Sequence, residues 1–404
     1  MVRLALVCVV GALLSSCNQL ETRVSTLWTN VPEMALCVEK FNTSQRDWQI
    51  LLEYKDDPAA VLAGPGPKAD LVIARGLATS AVKDGLVPLG FLFDGGNLSR
   101  TSFYKGILEA GQQGETYKLL PVSFDLPILI FSEKTVPDLP GFSVDLESLK
   151  SQNARFSVGL DGKSPTRMAF SPRWQSFGLT LLHLKGADFR EGFQRTLTWD
   201  SSRLNEGLSM LHTWPSPGWD QVTEFQRKYL QSDPVLVLNL NRIQFFPSTL
   251  ATFLSRPWQE RRGLDFRFVD SRGLVAATDS TVWAGIPSSS LTRGAAEGFL
   301  AWLFRVDTQE NLIRQTRAGD DRAFGLARGL SALVVPNGKA LADGWPDTEG
   351  RMPRADQVAF WGELPADWSA LKAAVIRPWL ETPSASEESL KAAFDKFRSS
   401  SSRN

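Results

Sequence analysis

The residue types most used in acid–base and nucleophilic catalysis are scarce in this chain, which has two His and three Cys among 404 residues. His183 follows an apolar helical segment and His212 precedes Trp214, so both fit structural positions. Ser80 and Lys83 match the short pattern S-x-x-K, but its companion motifs S-D-N and K-T-G are missing. We therefore predict no enzymatic activity, no cofactor and no metal site. A hydrolase that uses two placed carboxylates stays open as an alternative.

Tryptophan is the side chain whose number needs an explanation, since 13 Trp stand against four Tyr. An indole combines a large apolar face with one hydrogen-bond donor, so it suits both a protein core and the wall of a small-molecule site. The remaining composition is that of a globular protein, with 43% hydrophobic and 22% charged residues. Lys and Arg balance Asp and Glu at 44 each, which argues against nucleic-acid binding and a polybasic membrane patch.

The first residues have the pattern of an export signal. One positive charge at Arg3 precedes an apolar run from Leu4 to Leu14 that is too short to span a bilayer. The run ends in Leu14-Ser15-Ser16-Cys17, which resembles the signal of bacterial lipoproteins, where the Cys thiol carries the lipid. We predict a signal peptide over 1–16 and a lipidated tether over 17–22. An ordinary signal peptide with a chance Cys is the alternative.

The chain after residue 22 alternates between strand and helix patterns, which predicts an α/β fold with a parallel sheet. Pro58–Pro67 is rich in Pro, Gly and Ala and is predicted to be a loop, and the change near Leu126–Lys134 predicts a crossing into a second domain. Cys37 would be the only thiol left unmodified in the mature chain, so no internal disulfide is expected, and we expect Cys37 to be a small buried hydrophobe. Strands are expected at Arg23–Thr29, Trp48–Tyr54, Asp70–Ala74, Val235–Leu240 and Ile243–Phe246, and helices at Met34–Phe41, Trp174–Leu184, Ser201–Trp214, Gln221–Leu230 and Gly294–Phe304.

Six short motifs, each weak alone, occur in an order that resembles the bacterial extracellular solute-binding proteins of ABC importers, of the sugar-binding, family 1-like lipoprotein type. The resemblance covers residues 17–400. The motifs are the lipobox ending at Cys17, Trp28-Thr29-Asn30 with Phe41-Asn42, Asp70–Ala74 with Arg75-Gly76, Leu120–Asp125, Trp283–Ile286 with Ala295–Phe304 and Gln309, and Leu364–Trp368 with Pro378–Leu380.

The resemblance implies a type II periplasmic-binding-protein-like fold: two α/β lobes with a central cleft and crossing hinge strands. By analogy, the first lobe would span 23–126 and 282–335, and the second 134–278 and 340–400. The implied function is a monomeric, lipid-anchored extracytoplasmic receptor, in the periplasm or on the outer face of a bacterial membrane. It would close around a small solute, a carbohydrate, and deliver it to the membrane permease subunits. The alternative is a surface lipoprotein that uses the same fold as an adhesin or partner-binding protein.

The cleft of such a fold should be lined by loops at the carboxyl ends of the strands. A sugar needs aromatic rings for its C–H faces and planar polar groups for its hydroxyls. On this basis the expected ligand-binding residues are Trp28, Thr29, Asn30, Arg75, Ser123, Phe124, Asp125, Arg173, Trp174, Arg242, Trp283 and Trp368.

Several of these residues have an equally simple structural explanation. Trp28 could belong to the core at the end of its strand, and Arg75 could bond only nearby carbonyls. Asp125 could cap a turn, Trp174 could pack at a helix start, and Arg242 could pair with a surface acid. Three further tryptophans are assigned to core or lobe packing: Trp302, Trp361 and Trp379.

Overall fold

A computed structural model describes residues 23–66, 68–96, 98–136, 139–157, 165–174, 177–192, 196–214, 218–231, 233–318 and 323–401. The predicted signal peptide, lipidated Cys17 and tether lie outside these residues. No helix within the described ranges has the length and apolar character needed to cross a bilayer.

The first lobe is built on a six-stranded sheet whose order is β15-β6-β14-β3-β1-β2. Strands β1, β2 and β3 are parallel, and β14 runs antiparallel to β3 and β6. The first four residues of β3 are fully buried, as expected for a strand with helices on both faces. The strands are β1 (Arg23–Thr29), β2 (Trp48–Tyr54), β3 (Leu71–Arg75), β6 (Leu120–Phe124), β14 (Val282–Gly285) and β15 (Leu330–Ser331).

The second lobe is built on a mixed sheet with the order β11-β7-β12-β13-β16, in which β8 also pairs with β12. Its strands are β7 (Pro127–Ser132), β8 (Ser143–Asp145), β11 (Phe246–Thr249), β12 (Leu264–Ser271), β13 (Leu274–Ala276) and β16 (Val358–Ala359). Two small hairpins complete the strands: β4 (Gln112–Gln113) with β5 (Thr116–Tyr117), and β9 (Arg190–Glu191) with β10 (Leu197–Thr198).

Helices cover the faces of both sheets through apolar stripes at helical spacing. In α13, for example, Ala296, Phe299, Leu300 and Leu303 are all buried. The helices are α1 (Met34–Ser44), α2 (Pro58–Ala63), α3 (Ser80–Lys83), α4 (Phe91–Asp94), α5 (Lys105–Ala110), α6 (Leu146–Phe156), α7 (Phe177–Lys185), α8 (Ser201–His212), α9 (Trp219–Tyr229), α10 (Pro234–Asn239), α11 (Leu250–Leu254), α12 (Trp258–Arg261), α13 (Arg293–Leu303), α14 (Val306–Ala318), α15 (Lys339–Gly344), α16 (Trp368–Leu371), α17 (Arg377–Leu380) and α18 (Glu387–Ser401).

The chain passes between the sheets in extended segments that lie side by side. The first crossing is Asp125-Leu126, between β6 and β7, and the second is 277–281, between β13 and β14. The amide of Thr278 donates to the carbonyl of Asp125 at 2.9 Å, and that of Ala277 donates to Ala359 at 2.8 Å. These bonds tie the crossings together, so the two lobes share a hinge. The expected two-lobed α/β fold is thereby confirmed.

Two segments differ from the sequence prediction for the same reason. Pro58–Ala63 is a helix rather than a loop, and Pro234–Asn239 is a helix rather than a strand. Both have Pro in the first turn, where its missing N–H costs nothing, and an Asp at the N-cap. The Asp57 carboxylate accepts from the amide of Ala60 at 3.0 Å. An Asp N-cap followed by Pro can therefore start a short helix whose sequence shows no clear helical spacing of apolar residues.

Cys37 is buried in α1, where burial raises the pKa of its thiol to about 12. The thiol therefore stays protonated and behaves as a small apolar side chain. This matches the expectation from its position in the sequence.

Candidate functional site

A cavity of about 320 Å³ lies between the lobes, at the carboxyl ends of β1 and β3. Its aromatic lining consists of Trp283, at the return crossing, and Trp361 and Trp368, which follow β16. We call this cavity the tryptophan cleft. Ligands of open α/β folds bind at this edge of the sheet, because the strand ends leave backbone and side-chain polar groups there.

Asn30 and Arg75 form the first-lobe wall of the tryptophan cleft. The Asn30 side chain donates from Nδ2 to the Arg75 carbonyl at 3.3 Å and accepts from the Arg75 amide at 2.9 Å, which fastens the ends of β1 and β3 together. The half-buried guanidinium of Arg75 has no hydrogen-bond or ion-pair partner among the described residues. Burial lowers the pKa of Arg75, since the charged form loses solvation.

The second-lobe wall carries indoles whose orientation is fixed by hydrogen bonds. Trp361 donates from Nε1 to the carbonyl of Ala277 at 2.9 Å, and Trp368 donates to Asp279 Oδ2 at 2.6 Å. Lys372 forms an ion pair with the same oxygen of Asp279. The two ring centroids are 5.9 Å apart. The wall thus combines apolar ring surface with a carboxylate and an ammonium group.

The edge of the cleft is closed by contacts between the lobes. Lys83 is almost completely buried and donates from Nζ to Glu363 Oε2 at 2.8 Å and to the carbonyls of Ala110 and Gln112. Ser80 donates to Glu191 Oε2 at 2.9 Å. The serine and lysine of the S-x-x-K pattern therefore hold separate interlobe bonds. They do not form a nucleophile and its base.

No family model and no curated protein matches the chain. Solved structures do match it. Among the solved structures that resemble it over nearly its whole length are the following three. An ABC substrate-binding protein from Listeria monocytogenes, in complex with cycloalternan, is 12% identical, with a TM-score of 0.64, and the match covers 95% of this chain and 100% of that one. The cyclic alpha-maltosyl-1,6-maltose binding protein from Arthrobacter globiformis is 14% identical, with a TM-score of 0.62 and coverage of 93% and 97%. A sugar transporter protein from Rhizobium etli, in an open conformation, is 14% identical, with a TM-score of 0.65 and coverage of 92% and 98%.

The protein has the fold of the ABC sugar-binding proteins. The resemblance inferred from the sequence is confirmed at this level. Two of the three structures are described as substrate- or sugar-binding proteins and the third as a sugar transporter. Within the described part of the chain, no group of His, Cys, Asp and Glu is arranged to hold a metal ion.

Four of the expected ligand-binding residues line the cleft of this sugar-binding-protein fold: Asn30, Arg75, Trp283 and Trp368. Trp28 and Thr29 do not. Trp28 is buried, and its Nε1 donates to Glu53 at 3.0 Å, while the Thr29 hydroxyl accepts from the amide of Val31.

The expected residues of the first crossing belong to the hinge. Ser123 is buried, and Phe124 packs edge-on against Tyr104 and Phe360 at centroid distances of 4.9 and 5.0 Å. Asp125 Oδ1 accepts from the amides of Leu126 and Ala251 at 2.8 and 3.1 Å. Burial raises the pKa of Asp125 to about 6, and these hydrogen bonds oppose the rise. Asp125 therefore links the crossing to the start of α11.

Three expected residues of the second lobe, Arg173, Trp174 and Arg242, do not line the cleft. Trp174 is fully buried, stacked on Phe225 at 5.9 Å, so it lies in the core of the lobe. Arg173 lies over the ring of Trp219 at 3.5 Å, and burial lowers its pKa to about 10. Arg242 donates to the carbonyl of Thr166 at 3.1 Å. These three side chains therefore pack within the second lobe or bond to its backbone.

The sequence analysis assigned Trp361 to packing, but its side chain lines the tryptophan cleft. It follows β16, whose two residues pair with the distant β13, so no local pattern marks it as a strand end. The ring also stacks on His183, at a centroid distance of 4.0 Å. Gly362 and Pro365, which line the same cavity, are the local signs that this segment is irregular.

Proposed function

We propose that this protein is a lipid-anchored extracytoplasmic receptor that captures a carbohydrate by closing its two lobes and delivers it to the permease of an ABC importer. The observation that carries the proposal is the tryptophan cleft. Three indoles meet there between the lobes, next to Arg75 and the ion pair of Asp279 with Lys372.

This lining has the chemistry that a sugar requires. The C–H groups of a pyranose ring stack on indole faces, while its hydroxyls bond to carboxylates and guanidinium or ammonium groups. Structural neighbours support the same class of solute, since they hold cycloalternan and mannobiose. We assign ligand contacts to Asn30, Arg75, Trp283, Trp361 and Trp368. The two lobes would span 23–126 with 282–335 and 134–278 with 340–400, and the receptor would act as a monomer.

The anchor belongs to the proposal as well. The lipobox ending at Cys17 supports lipidation after removal of 1–16, which places the protein in the periplasm or on the outer face of a bacterial membrane. A Cys17→Ser variant should lose metabolic labelling with a fatty acid and leave the membrane fraction. Continued labelling of that variant would contradict the assignment.

The solute proposal is tested by calorimetry and thermal shift with a panel of mono- and oligosaccharides. At least one sugar should bind, and Trp361→Ala should weaken its binding about tenfold or more without unfolding the protein. Trp258→Ala is the control, since Trp258 is 54% exposed on α12, outside the cleft. Failure of every sugar would favour the adhesin-type lipoprotein over the receptor.

A further inference from the structure

One cation in the lining of the tryptophan cleft has no partner within the described part of the chain. The side chain of Arg75 is half-buried, and its guanidinium forms no hydrogen bond or ion pair with a described residue. The other cation of the lining, Lys372, is paired with Asp279. A half-buried guanidinium carries several N–H donors and a full charge, so it needs acceptors from water or from a ligand.

The position of this guanidinium is set by the sheet. Arg75 is the last residue of β3, and both its amide and its carbonyl bond to the side chain of Asn30. Its Cα lies opposite that of Val282 in β14, one residue before Trp283. The cation and the indole therefore border the cleft from adjoining strands. A sugar ring stacked on Trp283 has its substituents within reach of Arg75.

Burial is the main influence on Arg75 and lowers the pKa of its guanidinium, because the charged form loses solvation. The acidic side chains that act on it, Glu33 and Asp125, are engaged elsewhere. Oε1 of Glu33 lies 3.7 Å from Nε of Arg328, and Asp125 accepts from two backbone amides of the hinge. A ligand carboxylate placed against Arg75 would satisfy its donors and compensate its charge together.

The charges of the whole lining restrict the ligand to a single negative group. The lining holds three acidic side chains, Asp56, Asp57 and Asp279, against Arg75 and Lys372. Asp279 is paired with Lys372, Asp57 caps α2, and Asp56 is exposed to solvent. One carboxylate matches the unpaired guanidinium, whereas a dianionic phosphate meets additional repulsion from these acids.

We infer that the ligand of the tryptophan cleft is an acidic sugar, whose carboxylate forms a bidentate pair with the guanidinium of Arg75 while its ring stacks on Trp283. The inference rests on the proposed function and narrows its carbohydrate to one class. Arginine suits this role better than lysine, because its planar fork matches the two oxygens of a carboxylate. Arg75 is thus the residue that separates acidic from neutral sugars.

Calorimetry with matched sugars tests the acidic ligand: glucuronate with glucose, galacturonate with galactose, and digalacturonate with galactobiose. At least one acid should bind about tenfold or more tightly than its neutral counterpart. The methyl ester of that acid keeps the shape but loses the charge, so it should bind like the neutral sugar. Glucose 6-phosphate should bind more weakly than that acid, because it carries the additional charge.

Substitutions of Arg75 separate its charge from its shape. Arg75→Gln should weaken the acid about tenfold or more and the neutral sugar less than about threefold. Arg75→Lys keeps the charge without the fork, so its affinity for the acid should lie between those of wild type and Arg75→Gln. Without sugar, Arg75→Gln should melt at the wild-type temperature or higher, because an unpaired half-buried charge is removed. A lower melting temperature would show that Arg75 supports the fold instead.

Arg173→Gln is the matched control. Arg173 is also half-buried and forms no ion pair with a described residue, but it lies over the ring of Trp219 at 3.5 Å, outside the cleft lining. Its substitution should change the affinity for neither class of sugar. Neutral sugars that bind as tightly as every acid, an equal loss of both classes in Arg75→Gln, or a preference for glucose 6-phosphate would overturn the acidic ligand and leave the receptor intact. Binding of no sugar would overturn both proposals.

Discussion

The imidazole of His183 lies parallel to the indole of Trp361, with ring centroids 4.0 Å apart and an angle of 13° between the planes. Its Nε2 is 3.3 Å from the carbonyl oxygen of Ala359, two residues before the tryptophan. One face of Trp361 is therefore covered by the protein, and a ligand can use only the other. Burial lowers the pKa of His183 to about 4, so the supporting ring is neutral at pH 7.

This burial predicts a pH dependence of stability. As the pH falls below 6.5, the unfolded state binds a proton at His183 before the folded state does, so the free energy of unfolding decreases until the pH reaches about 4. The loss from this group is about 3 kcal/mol. His183→Phe keeps an aromatic ring against Trp361 and removes the titration. Urea unfolding at pH 4 to 7 should show a smaller acid loss in this variant, and parallel curves would contradict the prediction.

Asp125 should have the opposite pH dependence. Its folded pKa of about 6 is raised above the ordinary 3.8, so its contribution to stability is complete below pH 3.8 and is lost as the pH rises through 6. Asp125→Asn keeps an acceptor for the amides of Leu126 and Ala251 but carries no charge. Relative to wild type, this variant should gain about 3 kcal/mol between pH 4 and pH 7.

Asp125→Ala provides the comparison for the hinge, because it leaves both amides without their acceptor. Its stability should fall by about 1–3 kcal/mol even where the carboxylate is protonated. Equal stability of the Ala and Asn variants in urea unfolding would show that these hydrogen bonds do not stabilise the crossing.

Removing the partner of Lys83 should weaken the contact between the lobes. Glu363→Ala leaves a buried ammonium group with only two carbonyl acceptors, and the cost should be about 1–2 kcal/mol, since Glu363 itself is 32% exposed. The ligand-free protein should also show a larger radius of gyration in small-angle scattering. Glu388→Gln, on the exposed side of α18, should change neither quantity. An unchanged radius with Glu363→Ala would mean that other contacts set the lobe arrangement.

Trp174 should matter for stability and not for sugar binding. Its indole is fully enclosed, with Phe170 and Phe225 at 5.9 Å, and Trp174→Ala should cost about 3–5 kcal/mol through the cavity left behind. Trp174→Phe should cost less, because it also removes an N–H that donates to no described residue. Sugar affinity, measured on the folded fraction, should equal that of wild type. A weaker affinity in Trp174→Phe would place this residue in the binding mechanism.

The cleft positions of Asn30 and Arg75 could be predicted from the sequence, because both lie at the ends of parallel strands. Asn30 and Arg75 directly follow apolar strand runs, and chain direction alone then places them at the cleft edge. The depth of Trp174 was not predictable, because it depends on Phe225, 51 residues away along the chain. Trp361 was missed because its position depends on the pairing of a two-residue strand, β16, with β13. Local patterns thus located strand ends, while aromatic residues in irregular segments required the tertiary structure.

The burial of Cys37 has a practical consequence for following lobe motion by spectroscopy. In a protein expressed from residue 18 onward this thiol is the only one, and its pKa of about 12 leaves it almost entirely as the unreactive protonated form at pH 7. Two cysteines introduced on the surfaces of opposite lobes would therefore accept fluorophores or spin labels against a chemically silent background. Interlobe distances could then be measured with and without sugar, without first removing a native cysteine.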